Sequence, residues 1–291
     1  MRKNEIKIAG VVAFYKPTVD IVDNINSYIN DLDILYVIDN SDEKNTKLID
    51  ILKAKEKICY IDNHGNQGIA NALNVGAQRA IKDEYDWLFT IDSDSKTTPN
   101  MITSMLECLE LYDPKTIGIV SPLHKNKFGK FSEKNIQKKE TGSKVLTTMM
   151  SGNLLNLNAY QKVGPFIDKL FVDSVDHEFC LRLNLNNFSI IQANKAILEH
   201  NLGNLKKYFW FYSTNYSPIR HYYATRNRLY LINRYKKDFP GFCKKEGIGI
   251  LKDLTRILIA ENQKISKIKA MIQGYQDYHN NIFGKKENFF K

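Results

Sequence analysis

Apolar, β-branched and aromatic segments recur along this chain at regular intervals with helical stretches between them, and that rhythm constrains its fold most. Residues 6–14, 34–39, 58–62, 87–92 and 117–121 read as strands. Residues 19–28, 46–54, 70–81 and 101–111 separate them with helical periodicity. Strand–helix alternation with nearly continuous apolar strands calls for an α/β fold, a mostly parallel central sheet flanked by helices. Ligands bind such sheets at the carboxyl ends of the strands, where the loops converge. The polar residues just after each strand are therefore the first functional candidates. They are Tyr15, then Asp39-Asn40-Ser41, then residues 63–68, then Asp92-Ser93-Asp94.

With 291 residues, 43% hydrophobic and 25% charged, the chain can bury a sizeable core. Its apolar stretch at residues 8–14 is too short to span a bilayer and runs into Tyr15-Lys16-Pro17 without a small-residue cleavage site. No signal peptide is expected. Cys59, Cys108, Cys180 and Cys243 lie far apart with no zinc-type spacing, and read as buried free thiols in a reducing, cytoplasmic setting. The net charge of +10 is uneven: residues 236–291 hold twelve Lys/Arg against six Asp/Glu, and residues 124–144 hold seven Lys against two Glu. Such clusters suit an anionic partner such as phosphate, nucleic acid or a membrane surface, or are simply solvated faces. Residues 122–148 are polar and weakly patterned, and read as a mobile loop. Apolar positions recur at helical spacing across residues 247–275, which reads as a helical tail with Lys252, Arg256, Lys264, Lys267 and Lys269 interleaved.

Three constellations carry chemistry. Asp92 and Asp94 flank Ser93 at a strand end, where two carboxylates can share a hard cation that clamps a diphosphate; a turn leading to Pro99 is the alternative. In residues 66–76, Gly68 suits a tight strand-to-helix turn and Ala70, Leu73 and Ala77 a close-packed helix face, which leaves the paired Asn66 and Asn74 unexplained. No G-x-G-x-x-G follows the first strand, which disfavours a dinucleotide site. Residues 171–182 bring three acidic residues, Asp173, Asp176 and Glu178, and Arg182 into a short span: one carboxylate can serve as a base while Arg182 pairs with Glu178, or the segment is a capped helix with an ion pair. His200 follows an apolar run and is a candidate metal ligand or a structural histidine.

Taken together these segments resemble the family 2 glycosyltransferases, and more narrowly their bacterial rhamnosyltransferase branch. The resemblance runs from about residue 8 to 235, in the family's order. It is carried by residues 11–17, Ile38-Asp39-Asn40-Ser41, residues 66–76, Asp92-Ser93-Asp94-Ser95, Ser151-Gly152-Asn153, residues 171–182, His200 and residues 220–227. It implies a GT-A domain over residues 1–235, a basic helical extension over 236–291, and a Mn2+ or Mg2+ cofactor. It places Tyr15, Asp39, Asn66, Asp92 and Arg226 on the donor nucleotide and Asp94, His200 and Asp92 on the metal. Asp176 matches the catalytic base of an inverting transfer, with Gly152, Asn153, Glu178 and Arg182 supporting the acceptor side. Lys16 and Ser93 depart from the commonest pattern, which leaves the donor sugar open. The implied donor is dTDP-rhamnose, with a UDP-hexose as the alternative, and the implied acceptor a surface polysaccharide or lipid-linked saccharide. The basic tail then suggests peripheral contact with an anionic membrane at its inner face, rather than nucleic acid. Two readings from other classes are a haloacid-dehalogenase-like phosphatase, for the Asp92–Asp94 motif, and a basic non-enzymatic binding module, for the tail.

Overall fold

The computed structural model describes residues 6–126, 141–200, 206–208, 211–213 and 215–287. Its chain forms two compact units: Met1–Phe166 with Phe179–Asn201, and Ile167–Glu178 with Leu202–Lys291. The expected boundary after residue 235 falls inside the second of these.

The first unit is built on one sheet. In chain order it carries β1 (Ile8–Phe14), α1 (Ile21–Asn26), β2 (Ile34–Asp39), α2 (Thr46–Lys53), β3 (Ile58–Asp62), α3 (Ile69–Lys82), β4 (Trp87–Asp92), β5 (Ser95–Thr97) and α4 (Met101–Leu109). There follow β6 (Ile117–Lys125), β7 (Gly142–Val145), β8 (Asn153–Asn156), α5 (Leu157–Val163), α6 (Val175–Leu185), which begins in the second unit, and β9 (Ser189–His200). The strand order is β3-β2-β1-β4-β8-β6-β9-β5, with β7 paired to β9. The half β3-β2-β1-β4 is parallel throughout. β8 then runs antiparallel between β4 and β6, β9 is parallel to β6, and β5 and β7 are antiparallel to β9.

The parallel half follows from its residues. β1, β2 and β4 are buried along almost their whole length, which only apolar side chains on both faces allow. Helix α3 lies so close to β1 that a Cβ at Gly76 would stand 2.3 Å from Val11 Cγ2. Tyr28, Phe89, Leu35, Val37 and Met105 belong to the resulting core.

Two expectations are corrected here and a third is refined. The helix expected at residues 19–28 is only α1, followed by a tight turn over Ile29–Asp31; the Ser27 hydroxyl bonds back to Asn24 O at 2.6 Å and competes with its continuation. The expected loop at 122–148 is not one loop, because β6 continues to Lys125 and β7 starts at Gly142; residues 127–140 lie outside the described residues. The helical tail expected over residues 247–275 is two helices, Pro240–Ala260 and Lys264–His279, separated where Gln263 takes a left-handed conformation (φ 54°).

The second unit holds a two-stranded ribbon, β10 (Lys206–Tyr208) with β11 (Phe211–Ser213), and the helices α7 (Pro218–Tyr235), α8 (Pro240–Ala260) and α9 (Lys264–His279). Tyr222, Tyr223, Phe171 and Ala270 form its core. At Gly274, α9 comes close enough to α7 that a Cβ would lie 2.5 Å from the Tyr222 carbonyl oxygen. Among the described residues no helix is long and apolar enough to cross a membrane.

Candidate active site

The carboxyl ends of β1 to β4 bring the expected series together. Tyr15 follows β1 and is half exposed; the next amide, of Lys16, donates to Ser41 Oγ at 2.8 Å. Asp39 closes β2 and is buried. One of its oxygens accepts from Ser41 N at 2.8 Å and the other from the Tyr60 hydroxyl at 2.8 Å. Burial, and then this bond, push the Tyr60 phenol well above its ordinary range. Lys44 reaches Asp62 at 2.7 Å and lies 3.7 Å from Asp39. Lys44, and then the His64 amide, hold the Asp62 carboxyl below its usual value. A rigid acidic shelf therefore stands at the β2–β3 end.

Asn66 organises the next turn. Its side-chain oxygen accepts from Gly68 N at 3.1 Å, and Gly68 takes φ 88°, which favours glycine, to start α3. Asn63 donates to both Asn40 and Asn71, at 2.6 and 2.9 Å, and so ties the loops after β2 and β3 to the first turn of α3. Asn74 serves the fold instead: it is buried, donates to Phe166 O at 2.9 Å, and accepts from Tyr160 OH at 2.8 Å.

The Asp92-Ser93-Asp94 segment is the turn from β4 into β5. Its backbone is pinned on three sides. The Asp92 amide donates to Ser151 Oγ at 3.0 Å, Ser151 bonds to Ser95 at 3.0 Å, and Asn24 donates to Ser93 O at 2.9 Å. Asp94 is exposed. Gly152 follows Ser151 with φ 83° and donates to Thr90 O at 2.7 Å. Asn153 donates to Met149 O at 2.8 Å, and among the described residues its buried Oδ1 has no partner. The ladder sets the backbone of His200 opposite Ser95, one residue beyond Asp94; the His200 side chain lies outside the described residues. Two carboxylates two residues apart on a pinned turn fit a hard divalent cation, whose other positions diphosphate oxygens or water would fill. The described residues hold no group of three or more His, Cys, Asp or Glu placed as a metal site.

A cleft of about 560 Å³ lined by Trp87, Leu109, Pro114 and Leu157 opens at the opposite end of β4 from Asp92. It carries none of the expected residues, and the strand-end rule places chemistry at the other end.

The second unit holds the acidic segment. Phe171, Asp173 and Ser174 all take positive φ, at 66°, 62° and 64°. Three non-glycine residues in that region within four positions mark a strained approach to α6. Asn227 braces it by donating to the carbonyls of Leu170, Val172 and Asp173. Asp173 accepts from Arg220 at 3.2 and 3.3 Å through one oxygen. Burial raises its carboxyl above the usual range and the Asp176 charge adds to this, against Arg220. Asp176 stands in the first turn of α6 and accepts from the His177 amide at 2.8 Å. Glu178 is fully buried and accepts from Tyr235 OH at 2.7 Å.

Two expected site residues have other work. Arg182, in the first unit, donates to the carbonyls of Val163, Gly164 and Pro165 at 2.7–2.9 Å and so holds that turn. Arg226, expected on the donor nucleotide, is fully buried. It donates to the carbonyls of Gly284 and Leu170 at 2.9 and 3.1 Å and lies against the Tyr223 ring. Tyr222 and Tyr223 are likewise core, so this cluster follows the aromatic-core alternative. Tyr60 and Lys44 are not among the candidates that the sequence offers. Lys44 falls five residues after Asp39, but the strand carrying Tyr60 bears no polar cue.

The comparisons bear on the family and the fold. The model of the family described as glycosyl transferase family 2 matches residues 12–163. The dTDP-rhamnosyl transferase RfbF of Shigella flexneri is 27% identical over 95% of this chain and 97% of its own length. Staphylococcus aureus TarS, residues 1–349 with UDP-GlcNAc, superposes with a TM-score of 0.63 at 15% identity over 95% of this chain and 84% of that one. GalNAc-T7 with UDP, GalNAc and Mn2+ gives 0.57 at 14% identity, over 68% of this chain and 44% of that one. The fold is of the GT-A type. The chain is a glycosyltransferase that belongs to glycosyl transferase family 2 and, within it, is similar to the rhamnosyltransferases.

Proposed function

We propose that the protein transfers rhamnose from dTDP-rhamnose to a hydroxyl of a saccharide acceptor, with inversion, and that the acceptor is a surface polysaccharide or its lipid-linked precursor at the inner face of the membrane. The observation that carries this reading is the pinned Asp92-Ser93-Asp94 turn beside the Asp39 shelf, in a chain that matches a dTDP-rhamnosyl transferase almost end to end. Tyr15, Asp39 and Asn66 bind the nucleoside end of the donor. Asp92 and Asp94, with His200, would hold the Mn2+ or Mg2+. When bound, the cation neutralises charge that grows on the departing diphosphate. Asp176 takes the proton of the acceptor hydroxyl as its oxygen bonds to the sugar C1. The bond from C1 to the diphosphate oxygen breaks, and the nucleoside diphosphate leaves with that electron pair. A positioned base of this kind contributes roughly 10²–10⁴-fold in rate. Gly152 and Asn153 border the acceptor.

A UDP-sugar donor is the second reading, favoured by the UDP-GlcNAc complex of the similar TarS fold. Thermal melting of the full chain with dTDP, UDP and GDP, each with and without Mn2+, separates the two. Ligand at a hundred times its Kd stabilises by about 2.7 kcal/mol, so the preferred diphosphate should raise the Tm by on the order of 5 °C. We expect dTDP with Mn2+ to do so and Asp94→Asn to lose the Mn2+-dependent part. A shift with UDP alone selects the second reading, and no shift with any diphosphate overturns both.

A further inference from the structure

Helices α8 and α9 bury one face each and leave the opposite face uncovered. On α8 the buried residues are Phe242, Cys243, Glu246 and Ile257. At about 100° per residue, Ile248, Leu251, Leu258 and Ile259 share the opposite arc, and they are 42%, 64%, 52% and 62% exposed. On α9 the buried residues are Lys267, Ala270, Met271, Gly274 and Asp277. Across from them Ile265, Ile272 and Tyr275 are 72%, 52% and 52% exposed. A helix that only faces water carries polar residues on that side. Seven large apolar side chains on two successive outward arcs therefore mark an interaction surface.

Charge selects the occupant. Between residues 240 and 279 there are four carboxylates, and each is turned to a cation of the second unit. Glu246 and Asp253 meet Arg228, Glu261 meets Lys267 at 2.8 Å and His221 at 3.2 Å, and Asp277 meets Lys286 at 2.7 Å. Lys267, which the sequence places among the outward lysines, is buried in that network. Lys244, Lys245, Lys252, Lys264 and Lys269 are exposed on the same two helices, while Arg256 also pairs with Asp253 at 2.9 Å. The outward side is thus apolar and cationic, with every carboxylate withdrawn.

We propose that this face of α8 and α9 docks on an anionic lipid surface. A second copy of the chain would set cations against cations, and nucleic acid would leave the aliphatic stripe unmatched. A bilayer of anionic lipid meets both features, since apolar side chains enter the headgroup boundary while lysines pair with phosphates. The attraction fades within a Debye length of about 8 Å at physiological salt, so the binding is reversible. The proposal deepens the transferase reading, because a lipid-linked acceptor is met at such a surface.

Co-sedimentation of the full chain with phosphatidylglycerol and with phosphatidylcholine vesicles tests it, beside a Leu251→Ser, Leu258→Ser, Ile259→Ser variant and a Lys244→Gln, Lys245→Gln, Lys252→Gln variant. The wild type should bind the anionic vesicles only, and high salt and either variant should each lower binding by at least about tenfold, as expected for combined apolar and electrostatic attachment. Both variants should keep the wild-type Tm and its nucleotide-induced rise. Equal binding to neutral vesicles, or variants that bind like the wild type, overturns the proposal. So does light scattering that finds a dimer which the leucine variant dissociates. A nucleotide-induced Tm rise without vesicle binding removes the docking face alone, whereas vesicle binding without that rise removes the transferase reading and leaves the docking face standing.

Discussion

Asp173 and Asp176 carry the same group three residues apart, and their surroundings separate them. Burial keeps the Asp173 carboxyl above the usual range and Arg220 grips one of its oxygens, which suits a brace for a strained turn. Asp176 stands in the first turn of a helix. Asp176→Asn should therefore lower kcat by at least about 10²-fold with nucleotide binding retained, while Asp173→Asn should mainly shift the melting temperature. Paired kinetics and melting curves check this, and an inactive Asp173→Asn beside an active Asp176→Asn would reverse the assignment. Position after an apolar strand is enough for the sequence to place Asp92 and Asp94 at a strand end, where the β4–β5 turn has them. Tyr60 escapes because only the β2–β3 ladder brings it to Asp39. Arg226 misleads because a cation in a polar-aromatic run looks like a phosphate ligand, whereas here its guanidinium satisfies carbonyls of the second unit.

Among the elements, the strands buried on both faces are plain in the sequence and the short ones are not. β5, β7 and β8 have three or four residues each, and their identity comes from their partners rather than from any pattern of their own. β9 hides for another reason: its pairing with β6 shifts register between Ser121 and Leu123, which breaks the alternation. In the tail, helical spacing is visible, but the break at Gln263 is not, because it depends on Glu261 turning inward to Lys267 and His221. That junction is also sensitive to acid. Burial depresses His221 below its ordinary 6.5, against the opposing pull of Glu261. The unfolded chain then gains this proton first, so stability falls as pH drops from 6.5 toward the lower folded value. The slope is at most about 1.4 kcal/mol per pH unit. Urea midpoints across that interval should decline, and His221→Gln should flatten the decline. An unchanged slope in the variant would assign it to other groups.

At the scale of the whole molecule, the family match at residues 12–163 stops short of β9, at 189–200, which pairs with β6, β5 and β7. A fragment ending at residue 166 should therefore lack a cooperative melting transition by circular dichroism, although it holds β1 to β8. A sharp transition in that fragment would show that the parallel half suffices. The same topology imposes an order on biosynthesis. β4 is complete at Asp92, but the strand that finishes its sheet ends at His200, 108 residues later. At about 5–20 residues per second, the ribosome needs roughly 5–20 s to deliver it. Until β8 arrives the nascent chain presents β4 as an unpaired apolar edge, and until β9 arrives it presents β6, each a template on which strands from neighbouring chains add. Soluble yield is then governed by translation speed across residues 153–200 and by whatever shields β4 in the meantime.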